Sequence, residues 1–445
     1  MSKFIGIRHE DKYLMESRAP LTPRHIERLI KNKKLDIVVQ SSSKRAFSDQ
    51  EYTDAGAKIV ETLEDCSVIL GVKEIPIPML EPAKTYVFFS HVAKGQPYNM
   101  PMLRHMMDLG CNLIDYEKIT DEQGKRLIFF GRYAGFAGMI NTLWALGLRL
   151  KEYGFETPFL GISQAHHYTS LEQAKKDISE VGREIAEKGL PAELQPFTVG
   201  ITGSGNASQG AQDILGLFPV KEISPEKLLE LRDREYLPNN LIYKVIFKAA
   251  HLSAHNDGNT FDRNDYYAHP KNYHNIFEKY IPHLTMLSNC MYWDPNYPRI
   301  VTKDYIEKLF SHGRPKLTVI GDITCDPDGS IEITHKGTEI EEPLFVYNPN
   351  TKNPTFGHTG EGMLVMAVDI LPAELPRDSS EGFSDVLVNY IKPISDCDFS
   401  EHFEYLDLPK AIKKALILHN GELTPDFRYL ESHLKHYALP VEPST

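Results

Sequence analysis

An α/β fold with parallel sheets, divided into two domains, is what this sequence predicts, and three observations predict it. The chain has 445 residues, too many for one ordinary hydrophobic core. Short apolar runs alternate with helical patterns from the amino terminus onward, the rhythm of βαβ units. The segment PFTVGITGSGNASQGAQDILGLF, Pro196 to Phe218, reads as a strand, a glycine turn and an amphipathic helix. A chain turns in this way when its backbone must approach a pyrophosphate and aim a helix N-terminus at it.

Taken in order, FIGIR is a strand, and TPRHIERLIKNK a helix capped by Thr22 with Pro23 at its first position. LDIVVQ follows as a strand, DQEYTDAGAKIV as a helix, and CSVILGVK and KTYVFFSH as strands. MPMLRHMMDLG is a helix and CNLIDYE a strand. The small-residue run from Tyr133 to Gly154 predicts a long buried helix connecting two domains. In the glycine turn, Gly203 permits the tight bend and Gly205 removes the Cβ that would meet the phosphates. Ser208 replaces the third fingerprint glycine, with Gly210 two residues later. Beyond it, PVKEISPEKLLELR precedes the strand YKVIFKAA, and His251 to about Tyr297 forms a polar excursion of the kind that covers a site or makes an interface. KLTVIGDIT is a strand, LFVYNPNTKNPTFGHTGEG a Pro-rich segment, and the remainder helical to about Tyr437.

Composition excludes several classes. No apolar run approaches the roughly 18 residues of a membrane span. The net charge of −12 disfavours nucleic acid and anionic membranes. Five scattered cysteines without a CxxC pair suit reduced thiols, and the first residues lack signal or transit character, so a cytoplasmic protein is expected. His251 and His255, and the adjacent His166 and His167, lack a convincing third ligand, so no metal is expected.

Four clusters could do chemistry. Arg18 in ESRAPLTP precedes a helix start, where a guanidinium forks onto a carboxylate or merely faces solvent. Lys73 ends the strand SVILGVK, where α/β proteins place ligands, although a solvated strand-end lysine looks the same. FFSHVAKGQ brings His91, Lys94 and Gln96 to another strand end, with a structural histidine as the ordinary reading. In GDITCDPDGS, Asp322 and Asp326 could bind ribose, an ammonium group or a metal, or simply form a turn.

These motifs, with GVKEIP, RYAGFAG, YYAHPKNY and NCMYWDPNYPR, stand in one order along the chain. In that order, from about Phe4 to Tyr429, the sequence resembles the lysine–ketoglutarate reductases, the reductase half of bifunctional aminoadipic semialdehyde synthase, and more distantly the alanine dehydrogenase superfamily. The resemblance implies two Rossmann-like domains with parallel sheets, the N-terminal one discontinuous: 1–136 and 342–445 around a dinucleotide-binding domain at 137–341, with the active site in the interdomain cleft. It implies condensation of L-lysine with 2-oxoglutarate and reduction to saccharopine. Lys73 and His91 fall on the family's acid/base pair, and Arg18, Arg132, Gln96 and Phe136 on substrate positions, with Lys94 nearby. Glu74 and Glu117 are weaker candidates for the α-ammonium of lysine. Gly203, Ser204, Gly205, Asn206 and Ala207 would hold the cofactor, and Asp322 and Asp326 would close the cleft from the nucleotide side.

About 20 residues beyond Gly205 the expected second strand ends at Ser224, with Glu222 two residues earlier. The absence of an acid at that tip favours NADPH over NADH. The saccharopine-oxidising half of the bifunctional enzyme is not in the sequence, which implies a monofunctional reductase or one domain of a longer enzyme, the latter pointing to the mitochondrial matrix. The competing expectations are an NAD-linked amino-acid dehydrogenase of the alanine dehydrogenase type and a catalytically inactive nucleotide binder. The expected partners are small molecules only, and self-association is compatible with the reading.

Overall fold

The computed structural model describes residues 4–231 and 237–435, which form two compact units, 1–130 with 376–445, and 131–375. In the first unit the chain lays down β1 (Phe4–Ile7), β2 (Ile37–Gln40), β3 (Lys58–Val60), β4 (Cys66–Leu70), β5 (Thr85–Phe88) and β6 (Asn112–Asp115). All six are parallel, in the order β6-β5-β4-β1-β2-β3. The order reverses between β1 and β4, so the loops after these two strands diverge and leave a crevice at their carboxyl ends. The strands are short and nearly all apolar because a parallel sheet is covered on both faces. The helix Pro23–Lys33 begins as expected, with Thr22 at its N-cap and proline inside the first turn. The Thr22 hydroxyl, however, bonds Nδ1 of His25 at 2.8 Å instead of capping a backbone amide.

The second unit opens with the helix Gly131–Glu152 and contains β7 (Thr198–Thr202), β8 (Val220–Ile223), β9 (Ile242–Phe247), a small antiparallel ribbon of β10 (Ser253–His255) and β11 (Tyr273–Asn275), β12 (Met286–Asn289), β13 (Val319–Asp322), β14 (Leu344–Asn348), β15 (Asn353–Phe356) and β16 (Met363–Met366). Its main sheet has eight strands in the order β15-β14-β16-β13-β12-β7-β9-β8. The helix Gly131–Glu152 is buried almost all round, and its glycines allow backbone contact. A Cβ on Gly135 would stand 2.0 Å from the Ala207 carbonyl oxygen, and one on Gly210 would stand 2.1 Å from that of Arg132. Gly210, facing Gly135, therefore supplies the close packing that the third fingerprint glycine usually supplies.

The chain rejoins the first unit through the helix Pro376–Asp396 and ends its sheet with β17 (Leu416–His419) and β18 (Glu422–Leu423), paired antiparallel beside β6. Three sequence expectations differ here. The return comes at Pro376 and not near 342, because β14 and β16 are hydrogen-bonded to each other and, through β13, to the second sheet. Residues 131–136 likewise belong to the second unit, since a continuous helix starts at Gly131. The helix predicted over DQEYTDAGAKIV stops at Asp54, and Lys58–Val60 becomes an edge strand after the left-handed Gly56, φ 94°. The expected helical end near Tyr437 lies outside the described residues. Among the described residues no helix is long and apolar enough to cross a membrane.

Candidate active site

The carboxyl ends of β1, β4, β5 and β6 gather the charged side chains of the first unit. Their register brings Lys73 and His91 together: Leu70 pairs with Val87, and the Phe89 N–H donates to the Val72 carbonyl at 3.0 Å. Lys73 is thus level with Ser90, one residue before His91 on the neighbouring strand end. The His91 backbone is left-handed, φ 50°, an unusual conformation for a side chain of this size. Its ring lies parallel to Phe89, and its Nδ1 stands 2.7 Å from Oε1 of Glu74.

Glu74 is 7% exposed, and Lys12 approaches the same oxygen at 2.8 Å. Burial opposes its charge, but the His91 bond and the Lys12 ammonium overcome that and hold the carboxyl down at about 2. An ionised Glu74 makes Nδ1 of His91 the protonated nitrogen and leaves Nε2 to exchange protons. Glu74 therefore orients His91 through Oε1, a bond that its candidacy as an ammonium ligand did not anticipate. Its Oε2 is buried without a hydrogen-bond partner.

Lys73 is fixed from its backbone. The Glu10 carboxylate accepts N–H bonds from Val72 at 2.7 Å and Lys73 at 2.9 Å, stitching the end of β1 to the end of β4. Burial, and the nearby Glu16, push Glu10 up to about 7, against the pull of Arg8 and the two amides. The Lys73 ammonium lies over the Tyr13 ring, 5.4 Å from its centre, and its field reaches Glu16. Arg18 is 4% exposed, 4.2 Å from the centre of the Phe130 ring, and donates through Nε to Glu16 at 2.7 Å and through Nη2 to the other oxygen. Burial works against the Glu16 charge, yet Arg18 and then Lys73 keep its carboxyl below the usual range. The loop holding Arg18 is anchored by the returning helix: Ser380 Oγ accepts the Ala19 N–H at 2.9 Å.

The remaining candidates fall unevenly. Lys94 is exposed, whereas Gln96 is half-buried with Oε1 enclosed and without a hydrogen-bond partner. Glu117 is taken by Arg126 at 2.9 Å. Beside it Asp115 is fully buried and pushed up to about 6 by burial, although it accepts the Ser90 hydroxyl and the Glu117 amide. Sequence reasoning missed Glu10, Glu16 and Asp115; an acid at or just after the end of an apolar strand was a signal for Glu10 and Asp115, while Glu16 lies farther along the loop before Arg18.

In the second unit β7 runs into Gly203, φ 83°, where a Cβ would come within 3.0 Å of the Cys290 carbonyl oxygen. Gly205 is the N-cap of the helix Asn206–Leu215, and a Cβ there would meet nothing within 4 Å. Ser204 is exposed, and Asn206 and Ala207 are half-buried in the first turn. With no side chain capping that turn, its leading amides are available to an anion, and the turn fits a dinucleotide pyrophosphate. Below it runs a buried chain of bonds: Thr202 Oγ1 donates to Asn289 at 2.7 Å, Asn289 Nδ2 to Asp322 at 2.8 Å, and Thr334 Oγ1 to Asp322 at 2.6 Å.

The remaining candidates of this unit are largely engaged. Asp322 is 1% exposed with both oxygens engaged, so it braces the strand ends instead of facing a ligand; Asp326 is half-buried in the loop beyond it. Arg132 pairs with Asp213 at 2.7 Å, tying two helices together, and Phe136 is 5% exposed between Arg132 and Lys175. Ser224 follows β8, the edge strand, and caps the helix Pro225–Leu229, its hydroxyl accepting the Lys227 N–H at 3.4 Å; Glu222 lies inside β8, paired with Lys244.

Residues 6–137 match the family "Alanine dehydrogenase/PNT, N-terminal domain". The chain is 39% identical over 442 residues to an alpha-aminoadipic semialdehyde synthase of Arabidopsis thaliana, covering 96% of this chain and 41% of that protein. It is 28% identical to a saccharopine dehydrogenase [NAD(+), L-lysine-forming] of Emericella nidulans, covering 89% of this chain and 93% of that one. It thus spans less than half the length of the first relative. A solved L-alanine dehydrogenase shares the fold at 17% identity, with a TM-score of 0.57, covering 97% of this chain and 99% of that one.

Proposed function

As a homologue of alpha-aminoadipic semialdehyde synthase and of the L-lysine-forming saccharopine dehydrogenases, the chain has a two-domain dehydrogenase fold that implies a nicotinamide cofactor, and we propose that it is a lysine–ketoglutarate reductase. In this reading it condenses L-lysine with 2-oxoglutarate and reduces the product to saccharopine with NADPH. The observation that supports it best is the placement of Lys73 and a Glu74-oriented His91 on adjacent strand ends.

The chemistry needs a neutral ε-amine to attack a ketone and a proton donor to expel water from the carbinolamine. An unperturbed lysine, ~10.4, holds its proton at pH 7, so a base must be lowered toward neutrality or act through a partner. Lys73 is the proposed group that takes the proton of the attacking amine, and His91, through Nε2, the one that returns a proton to the departing water. Arg18, locked onto Glu16 through Nε and Nη2, would meet a substrate carboxylate through Nη1. Gln96, with its enclosed unbonded oxygen, is a second substrate-orienting group, and Lys94 a third. Arg132, Phe136 and Glu117 rest on family position alone, since each is engaged or buried within its own unit. When bound, the reduced nicotinamide supplies the hydride; Gly203, Ser204, Gly205, Asn206 and Ala207 would hold its pyrophosphate.

The test follows NADPH absorbance with 2-oxoglutarate present while L-lysine, L-alanine or ammonia is added separately. Oxidation that requires both lysine and 2-oxoglutarate is expected. Oxidation with ammonia and a small oxo acid, or none under any combination, would overturn the assignment.

A further inference from the structure

The strand order of the second sheet relocates the residue that reads the adenosine ribose. In a dinucleotide-binding sheet that residue stands at the carboxyl end of the strand hydrogen-bonded beside the glycine-turn strand, because the ribose lies one strand over from the pyrophosphate. Here that neighbour is not the next strand in sequence. β8 follows the glycine-turn helix but lies at the sheet edge, and β9 occupies the place beside β7.

The register fixes the positions. Thr202 pairs with Phe247, and the Gly203 N–H donates to the Phe247 carbonyl at 2.8 Å, so Lys248 begins level with the glycine turn itself. Ile223 pairs with Val245, so Ser224 is level with Ile246. Ser224 therefore sits one strand spacing farther out, about 4.8 Å, and about two residues short of Lys248.

Resting on the reading of the chain as an NADPH-dependent reductase, we propose that Lys248 is the residue that selects a 2′-phosphorylated dinucleotide, with His251 as its companion. The Lys248 side chain is exposed, and an ammonium there attracts a phosphate while offering a ribose hydroxyl no acceptor. His251 Nδ1 accepts the Lys248 N–H at 3.0 Å, which makes Nε2 the protonated nitrogen, a donor. The other charged groups acting on His251 are Glu226 and Lys279. One cation more than acids, counting Lys248 and Lys279 against Glu226, leaves the corner favourable to an anion.

The test is equilibrium binding, read by nucleotide fluorescence and calorimetry, of NADPH, NADH and adenosine 2′,5′-bisphosphate. It compares the unaltered chain with Lys248→Ala and Ser224→Ala, each checked for an unchanged melting profile. The unaltered chain should bind NADPH more tightly than NADH. Lys248→Ala should weaken NADPH and the bisphosphate about tenfold, the usual loss for one charge-assisted bond, and leave NADH within about twofold. Ser224→Ala should change neither. If the unaltered chain prefers NADPH and Lys248→Ala keeps that preference, the Lys248 assignment is wrong while the cofactor reading stands. A loss at Ser224→Ala would put the site back on the edge strand. Equal or tighter binding of NADH by the unaltered chain would remove the NADPH reading and the role of Lys248 together.

Discussion

The strand ends of the first unit are crowded with ionisable side chains, whereas the glycine turn of the second is built of backbone amides over a brace of buried hydrogen bonds. Glu10, Glu16, Arg18, Glu74, His91 and Lys73 hold one another in fixed geometry, several of them buried. The glycine turn instead relies on Gly203, Gly205 and a helix N-terminus, braced from below by Thr202, Asn289 and Asp322. The contrast teaches a division of labour. Proton transfer needs groups whose affinities are set by burial and neighbours, whereas a pyrophosphate needs amides and empty space. Substitutions in the two regions should accordingly fail in different ways.

The largest effect is expected at Lys73. Lys73→Met keeps the length of the side chain and removes its proton, and turnover should fall about 10³-fold. NADPH affinity, a property assigned to the other unit, should be unchanged. Near-normal turnover would return Lys73 to an ordinary strand-end lysine, and a parallel loss of NADPH binding would break the division between units. Gly135→Val attacks the other region through packing alone. Its Cβ would fall 2.0 Å from the Ala207 carbonyl oxygen, a backbone atom that cannot swing away. The helix Asn206–Leu215 must shift, at a cost of about 3 kcal/mol in stability, with weaker NADPH binding as the companion effect. An unchanged melting temperature would show that the helix pair tolerates a wider spacing.

Legibility in the sequence divided along the same line. The glycine turn was readable because its signal is local: a strand, two glycines at fixed spacing and a helix. The parallel rhythm of the first unit was readable for the same reason. Strand order was not, since nothing in VKEIS or YKVIF says which of the two lies beside β7; that is decided by tertiary pairing. Distance along the chain therefore pointed to Ser224. The hairpin of β17 and β18 did have a local signal, His419-Asn420-Gly421-Glu422, an Asn-Gly turn with φ 49° and 81°, but the surrounding helical pattern masked it. Arg18, Lys73 and His91 could be named from the family pattern. Their partners Glu10 and Glu16 could not, and Glu74 was named without its bond to His91, because carboxylates that orient cations look like any surface acid until burial is known.

Glu10 gives the smallest effect and sharpens the contrast through pH. Its carboxyl stands at about 7 when folded and, with an ordinary glutamate near ~4.3 when unfolded, releases its proton more readily in the unfolded chain. A folded value above the unfolded one means that stability falls as pH rises across that window, from roughly 4.3 to 7, and levels off above it. Between pH 5 and 8 the loss amounts to about 3 kcal/mol for this one group. Glu10→Gln retains an oxygen acceptor for the Val72 or Lys73 amide and cannot ionise, so its stability should vary less over the same interval, by about that amount. Urea unfolding of both chains at pH 5, 6, 7 and 8, followed by a probe in the first unit, would read the difference directly. Parallel pH profiles would mean that Glu10 is already ionised at pH 5 when folded, with the two amides and Arg8 outweighing burial, and the crowded site would then be a network of fixed charges with no proton to spare at Glu10.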